Sequence, residues 1–103
     1  MIEIIFKNEK NHIKGFSVTG HANTAPHGHD IVCAGVSALT QTAILGLDVH
    51  LKKKISYKAE AGDLFVDMKE TPDDLSDAIL KTMRLGLAEI EKLYPKVVKI
   101  KER

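Results

Sequence analysis

The sequence predicts an α+β fold of order ββαββαβ, a largely antiparallel sheet with two helices packed on one face. Three observations predict it. Short β-branched apolar runs come in pairs joined by polar turns. Two longer stretches carry apolar residues at helical spacing. Each strand pair directly precedes one of those stretches, so neighbouring strands are joined as hairpins. The 103 residues are close to the size of one domain, and no linker, repeat or low-complexity tract divides residues 1–103.

Ile2 to Phe6 is an apolar run that reads as a strand, and the polar stretch Lys7 to Asn11 turns the chain. His12 to Gly20 returns it, with Phe16 and Val18 on one face and Ser17 and Thr19 on the other. Between Ile31 and Leu51 apolar residues surround nearly the whole circumference of a helix, which predicts burial on several sides. Asp30 reads as its N-cap, and Lys52-Lys53-Lys54 as compensation for the negative end of its dipole. Gly35 and Gly46 each cost helix propensity of about 1 kcal/mol, which predicts close packing at both. Ile55 to Ala59 and Leu64 to Met68 flank the turn Ala61-Gly62-Asp63 as a second hairpin. Thr71-Pro72-Asp73-Asp74 reads as a helix start, with Thr71 as N-cap and Pro72 at the first helical position. Leu75, Ile79, Met83, Leu87 and Ile90 carry that helix to Pro95, and Lys96 to Lys101 supplies a last strand.

Composition narrows the function classes. A formal charge of +1 gives no electrostatic reason to expect a nucleic-acid or membrane partner. No apolar run is read as a membrane span, and the N-terminal apolar run is too short for a signal-peptide core. A single cysteine forms no intramolecular disulfide, and the expected compartment is the cytoplasm, where a lone thiol stays reduced.

That cysteine lies in the most unusual part of the chain. Gly20 to His29 is rich in glycine and histidine, a loop long enough to suggest a function. With Asp30 as N-cap, Cys33 would occupy the first turn of the helix, where unpaired N–H groups and the dipole favour an anionic nucleophile. The loop can fold His21 back over the helix start, where it would take the thiol proton and return it to a leaving amine. The same N–H groups would hold the oxyanion of a tetrahedral intermediate. Ser37 follows Cys33 by four residues, one turn deeper on the same face. Gly20 and Gly28 bracket the loop as hinges, so that Ala22 to Gly28 would close over a bound peptide. Read from the residues alone, a cysteine in this setting is more often a small core residue than a nucleophile, and Asp30 more often a plain N-cap.

Gly20-His21-Ala22, followed by Gly28-His29-Asp30-Ile31-Val32-Cys33-Ala34-Gly35-Val36-Ser37-Ala38, closely resembles the ribosomal-processing cysteine protease family Prp. The resemblance extends over residues 1–103, read as a single peptidase domain. It implies a homodimeric endopeptidase that removes the N-terminal extension of a large-subunit ribosomal protein, number twenty-seven, after a phenylalanine pair, so apolar pockets for those rings are expected near Cys33. It also implies that His21 and Cys33 are catalytic and that Asp30 and Ser37 support them. The implied partner is that N-terminal peptide, and no cofactor is implied.

Two other readings compete. A metal-binding domain would use His21, His27, His29 and Cys33, but lacks the second cysteine or the paired histidines of a rigid zinc site. A non-catalytic ribosome-assembly or RNA-binding module would use Lys52 to Lys54 and the basic last strand, against a near-neutral overall charge.

Overall fold

The computed structural model describes residues 1–20, 28–60 and 62–103, with the backbone alone for residues 28–30. Strands β1 (Ile2–Glu9) and β2 (His12–Thr19) precede helix α1 (Gly28–Leu45), which runs into a π-helical turn at Gly46–His50. Strands β3 (Ile55–Glu60) and β4 (Asp63–Met68), helix α2 (Asp74–Leu93) and strand β5 (Val98–Glu102) follow. The order is the ββαββαβ read from the sequence. The sheet runs β3-β4-β2-β1-β5, with every neighbouring pair antiparallel except β1 and β5.

The β1–β2 hairpin closes through Lys10 and Asn11, both at positive φ (51° and 69°), matching the twist of a two-residue hairpin turn. One face of the sheet is apolar: Ile4 and Phe6 lie beside Val18 and Phe16, and these beside Leu64 and Val66. Val32, Val36 and Leu47 of the first helical segment and Leu80, Met83 and Leu87 of α2 complete the core over this face. The two helical segments approach closely at glycines. A Cβ on Gly46 would lie 2.9 Å from Ile79 Cδ1, and one on Gly35 would lie 3.3 Å from Ile90 Cδ1. The packing role expected of both glycines is borne out.

Several boundaries differ from expectation, each for a local reason. α1 begins at Gly28, so Asp30 lies inside its first turn and is not the N-cap. α2 begins two residues later than expected, with Asp73 and not Thr71 as N-cap. Asp73 accepts the Ser76 N–H (2.9 Å) while its own N–H donates to Ser76 Oγ (3.0 Å), a reciprocal capping box. Lys53, the middle of the basic triplet, does not compensate the end of α1. Leu51 N–H bonds Gly46 O in the wider π pattern, Lys52 takes φ 55°, and the reversed chain carries Lys53 to Asp73 and Glu70. Nor is the first helical segment covered all round, since Ile31, Leu45 and Val49 are each more than half exposed. The stretch Ile31–His50 is also long and apolar enough by composition to pass as a membrane span, contrary to the expectation. Here its inward side packs on the sheet, as the helix over a core must.

Candidate active site

Starting α1 at Gly28 makes Cys33 its sixth residue. Cys33 is therefore past the four N–H groups that a helix start leaves unpaired, and those groups belong to the turn before it. With Asp30 as N-cap the thiol would sit on the free N–H groups. In the structure the thiol stands about one turn deeper, and any oxyanion donors from the helix start lie on its N-terminal side.

Cys33 is half-buried and packs against the core. It opens onto a cavity of about 450 Å³ bounded by α1 on one side and by β2, β4 and β3 on the other. Ser37, exposed and one turn along α1, lines the same cavity. Val18, Leu64 and Ala59 form a single row across three strands, and Tyr57 lies one step along β3 on the same face. All four are cavity walls. Apolar walls near Cys33 were expected, but these residues were not foreseen. The alternation of β3 puts Tyr57 and Ala59 on one face, yet only the pairing of distant strands brings that face to Cys33.

Gly20 is also brought to the cavity. Its φ is 95°, its N–H bonds Gly62 O at 2.9 Å, and a Cβ there would collide with Met1 O. An alanine at this position would damage the fold directly, so it cannot separate a hinge from a structural glycine. Gly28 is the first residue of α1. His21, His27 and the rest of the loop expected to close lie outside the described residues, as do the side chains of His29 and Asp30.

Among the described residues, the perturbed carboxyl groups lie elsewhere. Hydrogen bonds from Lys53 and then from Ser76 N–H hold Asp73 at a pKa of about 2. Burial raises the pKa of Asp77, but hydrogen bonds from Ile13 N–H, His12 and Lys81 outweigh it and leave the group below the ordinary carboxylate range. His12, Asp74 and Asp77 bring three potential metal-ligand atoms within 4.8 Å of one another. Both oxygens of Asp77 are already engaged, Oδ1 by Ile13 N–H (3.0 Å) and Oδ2 by His12 Nδ1 (2.6 Å) and the Lys81 ammonium (3.3 Å). With a cation already in place, this cluster fastens the start of β2 to α2.

The family model described as cysteine protease Prp matches residues 1–99. The chain belongs to the Prp family. It is 32% identical over 96 residues to the ribosomal processing cysteine protease Prp of Staphylococcus aureus (strain Mu50), covering 90% of each chain. It is 31% identical over 94 residues to that of Bacillus subtilis (strain 168), covering 82% of this chain and 84% of the relative. The crystal structure of the S. aureus protease with a covalently linked product peptide superposes with a TM-score of 0.87, at 26% identity and complete coverage of both chains. This Prp-family chain is a cysteine protease, a hydrolase.

Proposed function

We propose that the chain removes the N-terminal extension of a large-subunit ribosomal protein, number twenty-seven, by cutting after a phenylalanine pair. One observation carries the assignment of the nucleophile: a cysteine protease needs a thiol, and the only cysteine in this sequence lines an apolar cavity. His21 takes the proton from the Cys33 thiol as Sγ forms its bond to the scissile carbonyl carbon. Collapse of the tetrahedral intermediate breaks the C–N bond, and His21 returns the proton to the leaving amine. Water, deprotonated by the same imidazole, then breaks the C–S bond and releases the new carboxyl terminus. Asp30 and Ser37 support this pair, and Gly20 and Gly28 bracket the loop that carries His21. The product peptide linked covalently in the S. aureus relative is consistent with acyl transfer to a thiol. The cavity is of a size common for small-ligand sites, about 300–1,000 Å³, and its apolar walls suit aromatic side chains.

Incubation with a peptide spanning a phenylalanine pair, followed by mass spectrometry, tests this reading. Cleavage after the pair is expected from the wild type and none from Cys33→Ala. Cleavage by purified Cys33→Ala would end it.

The same reading includes a homodimer acting in the cytoplasm without direct nucleic-acid contact. An apolar groove between the helical segments, with Leu39, Leu45, Val49 and Ile79 in its walls, is the surface a second copy would cover through a two-fold contact. Sedimentation should show a dimer at micromolar concentration and a monomer for Val49→Glu, which places a charge on an exposed position.

A further inference from the structure

We propose that a segment of the peptide substrate beside the scissile bond binds as an additional strand on the free edge of β3. This rests on the protease reading and names how that site holds its substrate. Among the described residues, β3 ends the sheet and pairs with β4 alone. The parity of that pairing follows from one bond, Lys69 N–H to Lys54 O (2.7 Å), between residues that are opposite in the β3–β4 register. Lys54 and Lys69 are thus a hydrogen-bonded pair, and in an antiparallel ladder such pairs alternate. Ser56, Lys58 and Glu60 spend their N–H and C=O groups on β4. Ile55, Tyr57 and Ala59 turn theirs outward.

Side chains follow the same alternation. Tyr57 and Ala59, which offer the free backbone groups, also line the cavity that holds Cys33. Edge and cavity are therefore two sides of the same residues. β3 carries the charged Lys58 and Glu60, but no proline lies in it, its register with β4 is continuous, and Ser56 to Glu60 are all exposed, so its outer backbone groups stay open to a further strand. A peptide about 4.8 Å outside β3 would exchange hydrogen bonds with Tyr57 and Ala59. On one face its alternate side chains would point to the cavity, and beyond that segment its chain would continue across to Cys33. Recognition by strand addition uses main-chain bonds for affinity and alternate pockets for selectivity. The half-exposed ring of Tyr57 would be covered in the process.

Two measurements test this. Ala59→Pro removes an outward N–H while leaving the β4 ladder intact, since the Ala59 N–H is not part of it. It should raise KM at least tenfold, with kcat changing less than threefold and Cys33 reacting with iodoacetamide at the wild-type rate. Independently of any effect of proline on folding, substrate peptides N-methylated at successive backbone amides should be cleaved poorly at every second position on one flank of the scissile bond. Wild-type KM for Ala59→Pro, together with no period of two in the methylated series, overturns the edge-strand proposal while leaving the protease reading intact. A wild-type enzyme that cleaves no phenylalanine-pair peptide overturns both. Loss of the dimer in Ala59→Pro at unchanged KM would show that β3 pairs with a second copy, which also overturns it.

Discussion

The two ends of the sheet are covered in different ways. From β2 to β5, α2 is fastened by polar side chains: Asp77 to Ile13 and His12 of β2, and, at β5, Glu91 to Ile100 N–H (2.8 Å) and Arg84 to Glu102 (3.1 Å). The Arg84 guanidinium also lies over the Phe6 ring, 5.7 Å from its centroid. At the other end β3 is exposed along most of its length, and its inner face looks into the cavity at Cys33. Among the described residues, one end is specified by directional bonds and the other opens onto a cavity. On the proposed reading, stability and catalysis reside in separate regions, and substitutions should move one without the other.

The largest expected separation is at the catalytic end. His21→Ala should lower turnover by about 100-fold or more, the range for a lost general base. Its melting temperature should stay at the wild-type value. Near-wild-type turnover in the folded variant would move the base to another histidine of the loop. The converse is expected at the fastened end. Asp77→Ala leaves the Ile13 N–H without its acceptor and should cost about 1–3 kcal/mol. That lowers the melting temperature by several degrees for a chain of this size. kcat/KM at a temperature where the variant is folded should stay within twofold of wild type, and a larger loss would show that the two ends are coupled.

The smallest effect lies in acid. The folded state holds Asp73 below its ordinary pKa, so its contribution is fully present above about pH 4 and is lost as pH falls through about 2. Asp73→Asn should flatten this part of the stability–pH curve, measured by denaturant titration between pH 4 and pH 2. An unchanged acid limb would mean that the Lys53 pair does not differ between folded and unfolded chains.

How much of this was legible in the sequence depends on the range of the interaction responsible. Period-two and helical patterns are local, so both hairpins and both helices were readable, as was the face shared by Phe16 and Val18. Thr71 and Asp73 are both good cap residues two positions apart, and the choice fell to Asp73 because Ser76 and Lys53 reach it. The π-helical turn carries no propensity signal of its own. Its result, Lys53 turned away from α1, contradicts an otherwise reasonable dipole argument. For the site, Cys33 stood out by its type and neighbours. The opposite wall, from Val18 through Leu64 to Tyr57, depends on strand order, which local pattern does not encode.

The parallel pairing of β5 with β1 has a consequence for how the chain folds. Ile2 pairs with Val98, a separation of 98 − 2 = 96 residues, whereas Glu9 pairs with His12 three residues away. By the logarithmic law of loop closure, the first contact costs roughly 3 kcal/mol more entropy than the second. The β1–β2 hairpin can form early, but the outer side of β1 should wait for a late step. Until then Ile4 and Phe6 belong to an unpaired edge strand, the kind of surface on which nascent chains aggregate. A slow refolding phase that disappears when β5 is removed, accompanied by concentration-dependent losses, would be the kinetic signature of that waiting edge.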